Sequence, residues 1–206
     1  MRPRQSPKAG PGRAVSTGPS AAVRGAEVRR RLLAAAVVCV PELGWTGVST
    51  RVLAARAGVA PGLVHYHFPS VQVLLRTAAV DALAEALAEA EQVLASAGGA
   101  DGVAALLEQL ERHAGADARS LLFVEMYLAS TRDEALHGDL RRLLLAFRRA
   151  LEGHLHRGGV ADPGGTAAVL AAAVDGVLLH RVIDPSLTAS MAVPVLSRLL
   201  GTREHR

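Results

Sequence analysis

The chain has 206 residues, half of them apolar, and a formal net charge of +4, enough length for one globular unit or two small ones around an ample core. No stretch approaches 18 uninterrupted apolar residues, so a transmembrane span is not expected, and residues 1–23 are basic but lack the apolar region of a signal peptide. A single cysteine, Cys39, excludes an internal disulfide framework, suits a reducing cytoplasm and reads as a buried structural thiol.

The charge is unevenly placed. Residues 1–24 carry five basic and no acidic residues, residues 25–70 five basic and two acidic, and residues 71–206 thirteen basic and seventeen acidic. The positive field is thus confined to the N-terminal third, as binding a phosphate polyanion requires. Residues 1–24 are rich in Pro, Gly, Ser and Arg without apolar periodicity. They are expected to form a disordered basic arm, able to touch DNA nonspecifically or to be an inert leader.

Helix periodicity begins at residues 25–40, where Val28, Leu32, Ala35 and Cys39 make one apolar face. Arg29, Arg30 and Arg31 lie at its start, where some should point at phosphates. Pro41 is expected to end or kink this helix, and Trp45 to pack as a core lid beneath the helices of residues 48–70.

Residues 48–70, VSTRVLAARAGVAPGLVHYHFPS, read as two short helices joined by a tight turn. Ser49 is a good N-cap, and Leu53, Ala54 and Ala57 supply the apolar stripe. Gly58 sits where a chain leaving a helix favours a left-handed residue. Val59 plugs the space between the helices, and Pro61 fixes the first turn of the next one. Val64 and Phe68 face back onto Leu53 and Ala57, which turns Pro61, Leu63, His65 and Tyr66 outward. A short helix with such a face fits a major groove.

These residues carry a family resemblance. AGVAPGLVHYHF is similar to the AGVS-x-G-x-(L/V)-Y-x-(H/Y)-F signature of the TetR family of one-component bacterial regulators. The resemblance implies a dimer on a pseudo-palindromic operator. Pro61, Gly62, Leu63, His65, Tyr66 and His67 would enter the groove, while Ser49, Thr50, Arg51 and Arg29 hold the adjacent backbone. Where the family places a Gly-Ser-Lys-Glu turn, this chain has Pro69, Ser70, Val71 and Gln72. The usual phosphate lysine is therefore absent at Val71, and the tyrosine often placed on a phosphate is His65. Each change softens a backbone contact by roughly one unit of salt slope, which Arg51 and the N-terminal arginines would offset.

A long connector helix is expected over residues 71–97, from the spacing of Val80, Leu83, Leu87, Ala90 and Leu94. Gly98 and Gly99 stop it. Asp101 caps a helix to about His113, Gly115 breaks it, and Asp117 caps the next, LLFVEMYLAS. A capping box at Thr131–Glu134 precedes a helix with Leu140, Leu144, Phe147, Leu151 and Leu155 on one face. Asp162 and Pro163 start an almost wholly aliphatic helix, and a last helix covers residues 187–200, bent near Pro194. The reading is an all-α chain of about nine helices. Residues 25–70 form a three-helix DNA-binding domain, and residues 71–206 a bundle for ligand binding and dimerisation.

The C-terminal half, through LLFVEMYLASTRDEAL, RRLLLAF and AVDGVLLHRVIDP, also resembles the choline-responsive, BetI-like branch. That resemblance implies an effector-binding bundle whose last two helices pair in a dimer. Phe123, Glu125, Met126, Tyr127 and Phe147 are candidate pocket residues, with Glu125 otherwise paired to Arg119 or Arg148. Ala172, Ala173, Gly176 and His180 are candidate interface residues, and Asp175 reads as an interface or capping group.

No catalytic or metal-binding constellation is legible. His154 and His156, like His65 and His67, lie two apart on different helix sides. No HExxH, CxxC, phosphate loop or nucleophile elbow occurs, so neither an enzyme, a cofactor nor a membrane partner is expected. The partners implied are double-stranded DNA, a small-molecule effector and a second copy of the chain, in the cytoplasm. The rival reading is a helical protein–protein adaptor whose helix-turn-helix is only structural.

Overall fold

The computed structural model describes residues 20–97, 102, 104–106, 108 and 118–200. Among them are eight helices and no strand: α1 (Ala21–Leu43), α2 (Thr50–Ala57), α3 (Pro61–His67), α4 (Val71–Ser96), α5 (Ala118–Ser130), α6 (Glu134–Arg157), α7 (Pro163–Arg181) and α8 (Ala189–Leu199). Gly102, Ala104, Ala105, Leu106 and Glu108 are also helical. The arm over residues 1–19 and the caps and breaks assigned to Gly98, Gly99, Asp101, Gly115 and Asp117 lie outside the described residues.

Helix α1 departs from expectation at both ends. Its N-cap is Ser20, whose hydroxyl accepts from the Val23 amide, so residues 21–24 are helical rather than part of an arm. It also runs through Pro41 to Leu43. The hydrogen bond that proline cannot donate is outweighed by packing, since Ala36, Cys39 and Val40 are buried in the turn before it. Termination falls instead at Gly44, with φ of 74° and its amide bonded to the Val40 carbonyl.

The turn between α2 and α3 follows the sequence closely. Ser49 caps α2 by accepting from Val52, and Gly58 adopts φ 63°, ψ 43°, the left-handed conformation glycine adopts at least cost. Leu53, Val64 and Phe68 are at most 2% exposed. Each such side chain withdrawn from water contributes about 1.5–3 kcal/mol, which fixes α3 against α1 and α2. Val59 and Trp45 pack partly buried on the same core.

Ser70 caps α4, a helix of 26 residues and so about 39 Å long at about 1.5 Å per residue. It belongs to both cores of the molecule. Leu74 to Leu83 join the first, which also contains Leu122 and Met126 of α5 and Leu136 and Leu140 of α6. Ala90 and Leu94 join the second, with Phe147, Leu151 and Leu155 of α6, Leu170 of α7 and Leu196 of α8. The helix-turn-helix therefore shares its core with the C-terminal helices.

Helix α6 is capped by Asp133, which accepts from the Leu136 amide, two residues later than the predicted capping box. Thr131 instead closes α5, donating to the Leu128 carbonyl. Asp162 caps α7 by accepting from Gly165, with Pro163 in the first turn, as the sequence indicates.

Candidate nucleic-acid interface and apolar cavity

Pro61, Gly62, His65 and Tyr66 are exposed on α3, while Leu63 and His67 are half-buried. Tyr66 is 80% exposed and stands edge-on to the His67 ring, 5.0 Å away. The Thr50 hydroxyl lies 3.4 Å from His65 Nε2, tying the start of α2 to the outer face of α3. Ser49 and Arg51 are exposed beside them. A side chain at position 62 would meet nothing within 4 Å, so this stretch of helix leaves its backbone open to close approach.

The arginines of α1 divide by role. Arg29 lays its guanidinium 4.8 Å from the centre of the Phe68 ring, a cation–π contact that holds an exposed cation next to α3. Arg30 is paired with Glu27 on the surface. Arg31 donates to the Gly58 carbonyl at 3.0 Å, bracing the turn of the helix-turn-helix rather than presenting its charge to a phosphate. Arg56 is engaged with Glu42.

The second feature is a half-open cavity of about 460 Å³ between α4, α5, α6 and α7, with Leu106 also in its wall. Its wall is almost wholly apolar, with Leu83 and Leu87 from α4, Phe123 and Tyr127 from α5 and Phe147 from α6. Asp175 on α7 is the one carboxylate among the described residues that line it. The Tyr127 hydroxyl donates to Asp175 Oδ2 at 3.0 Å. Asp175 is exposed toward solvent on one side, yet the apolar wall beside it pushes its carboxyl above the ordinary range, opposed by the Tyr127 hydrogen bond and by attraction to Arg148. Burial, followed by the Asp175 charge and hydrogen bond, pushes the Tyr127 phenol up as well.

Two of the five pocket residues expected from sequence lie elsewhere. Met126 is fully buried in the first core. Glu125 faces the helix-turn-helix, where its carboxylate accepts from the Trp45 amide at 2.9 Å. It is paired with neither expected arginine there, and Arg119 contacts Glu89. Asp175 is the pocket residue that sequence reasoning misses. Its signal is a lone carboxylate among small and aliphatic neighbours. Of the four interface candidates, Ala172 and Gly176 border the cavity, Ala173 packs on the second core and His180 is exposed.

Beyond the cavity the molecule presents uncovered apolar residues. Val169 on α7, Ile183 just after it, and Met191 and Val195 on α8 are between 50% and 84% exposed, while Leu179, which lines the cavity, is 46% exposed. By length and composition alone, α7 could cross a membrane, yet only 17% of its apolar window is buried within the chain. Among the described residues, no three His, Cys, Asp or Glu side chains converge as a metal site.

A groove-sized helix held on a closed core and joined by one long helix to a cavity-bearing bundle defines a one-component DNA-binding regulator. Residues 32–78 match the family described as bacterial regulatory proteins, tetR family, and residues 97–202 match the tetracyclin repressor-like C-terminal domain. The chain belongs to the TetR family of transcriptional regulators, and is on that account a regulator and not an enzyme. It is similar to a transcriptional regulator of Streptomyces coelicolor A3(2), at 28% identity over 85% of this chain and 99% of that one, with a TM-score of 0.71. A regulator from Rhodococcus sp. Rha1 is 27% identical over 84% of this chain and 94% of that one, with a TM-score of 0.73. A regulator of Saccharomonospora viridis, solved in complex with choline, shares the fold at 20% identity and a TM-score of 0.73, over 86% of this chain and 97% of that one. No curated protein matches the chain.

Proposed function

We propose that this regulator is a homodimeric repressor that binds a pseudo-palindromic operator and is released by a small molecule held in the α4–α7 cavity. The observation that carries the reading is the exposed face of α3 flanked by Thr50, Arg51 and Arg29, joined through α4 to a cavity whose wall that same helix supplies. Two copies would pair through the uncovered faces of α7 and α8, bringing two recognition helices to successive half-sites. The apolar surface left open there is what such a pairing would cover. A regulator acting on genomic DNA in this way works in the cytoplasm.

Release follows from linkage. A ligand that lowers operator affinity must bind the DNA-free form more tightly, by the same factor. Pressure on the cavity wall would be transmitted by α4, and also by α5, which lines the cavity through Phe123 and Tyr127 and holds the Trp45 loop through Glu125. The BetI-like character of the C-terminal half rests on the runs LLFVEMYLASTRDEAL, RRLLLAF and AVDGVLLHRVIDP. It does not by itself make choline the effector.

An operator–reporter assay with Arg51→Ala and Leu63→Ala tests the reading. Loss of repression in both, at unchanged protein level, is the expected result. Full activity in both would favour the adaptor.

A further inference from the structure

We propose that the effector is a lipophilic organic cation, an amine with an extended apolar body, whose charged head is received by Asp175 and whose body fills the cavity; this rests on the repressor reading.

Three observations converge on that class. Among the described residues the lining is apolar apart from the hydroxyls of Ser120 and Tyr127 and the carboxylate of Asp175. Asp175 is exposed on the open side of the cavity, beside its apolar wall, and a carboxylate so placed attracts an incoming cation and repels an incoming anion. Tyr127 occupies Asp175 Oδ2 with a single hydrogen bond, and the carboxylate keeps further acceptor capacity for an ammonium N–H. The same cavity also gathers Phe123, Tyr127 and Phe147, three of the six aromatic residues in the chain. Aromatic faces attract cations and repel anions.

Size sets the rest of the ligand. A space of about 460 Å³ falls in the range that holds a drug-sized molecule. A bare quaternary ammonium such as choline would leave most of the apolar wall unfilled. Arg148 is the competing feature. It attracts Asp175 from α6 but is not among the residues that line the cavity, so it tempers the negative end without presenting a cation to the ligand. An anionic amphiphile is the opposite outcome of the test.

The experiment uses the full-length protein and three probes of one shape, decylamine, 1-decanol and decanoate, with affinity read by calorimetry at neutral pH. Decylamine is expected to bind about tenfold or more tightly than either of the others, the factor a charge-assisted hydrogen bond supplies. Asp175→Asn should bring the three within about twofold of one another, since that variant removes the charge and keeps the shape. Helical circular dichroism and a thermal melt retained by Asp175→Asn guard against a misfolded variant. Decanoate or decanol binding as tightly as the amine, an amine preference that survives Asp175→Asn, or no binding of decylamine at all would each overturn the proposal. Release of operator DNA is measured in parallel and judges the repressor reading separately. Amine binding without release would contradict that reading and leave the ligand class standing. Release by decanol or decanoate would do the reverse.

Discussion

Leu53, Val64 and Phe68 beneath the recognition helix are at most 2% exposed, whereas Val169, Met191 and Val195 on α7 and α8 are at least half exposed and Ile183 is 84% exposed. The two ends of the molecule are similarly apolar in sequence and differ in whether the chain covers what it carries. At the DNA end, α1, α2, α3 and α4 close on one another over a buried core, leaving Val23 and Leu43 of α1 exposed as single side chains and Tyr66 on the outer face of α3. At the other end the helices close on one side only. They leave a cavity between α4 and α7 and an open apolar surface on α7 and α8. A closed core holds a rigid reading head, and an unfinished one leaves room for a ligand and a second subunit.

The largest expected effect that sharpens this contrast is a core truncation. Leu53→Ala should lower unfolding stability by about 2–5 kcal/mol in denaturant titration. Ile183→Ala should change it by no more than about 0.5 kcal/mol in the isolated subunit. Equal losses at both sites would break the comparison. Placing charge on the open face tests its role directly: Val169→Glu with Ile183→Glu should convert dimer to monomer in sedimentation velocity while helical circular dichroism is retained. A dimer that persists would place the interface elsewhere.

A smaller effect is expected at the junction of the two regions. Glu125→Gln weakens a charge-assisted bond to the Trp45 amide, costing about 1–2 kcal/mol. Trp45 is the sole tryptophan, so its emission should report the loosened loop. Unchanged emission and unchanged DNA binding would remove Glu125 from the coupling. At the reading face, Arg51→Ala should lower the salt dependence of operator binding by about one unit of slope.

The smallest effect concerns pH. The apolar wall beside the partly solvated Asp175 raises its carboxyl above its unfolded value, so the native state takes up the proton first. Stability at this site therefore rises as pH falls through the raised native value and declines as pH rises through it. Asp175→Asn, which carries no charge to desolvate, should melt slightly above the parent at neutral pH. The gap should close as pH is lowered toward the carboxylate range. A gap that widens on acidification would contradict the assignment.

How much of this was legible in the sequence depended on the range of the contacts involved. Ser49, Gly58, Pro61, Asp162 and Pro163 act within a turn of chain, and their spacing reports them directly. The helix continues past Pro41 instead of ending there because burial of Cys39 and Val40, a tertiary effect, overrides the local rule against proline. Thr131 and Asp133 are both competent caps, and only the packing of Leu136 decides between them. The exposed residues of α3 followed from helical periodicity, but the bracing of Gly58 by Arg31 spans 27 positions and left no local mark. Glu125 and Asp175 are each a lone acid in an apolar helix. Sequence could not tell that one would meet the Trp45 amide and the other Tyr127, because helix rotation against neighbours made that choice.

The most direct test of the central claim is a salt titration of binding to the DNA upstream of the protein's own coding sequence, against a scrambled duplex of equal length. Tighter binding to the native fragment across the salt range, with two subunits per site, is the predicted result. Equal and weak binding to both duplexes, lost at moderate salt, would contradict it and leave only a basic arm meeting a polyanion.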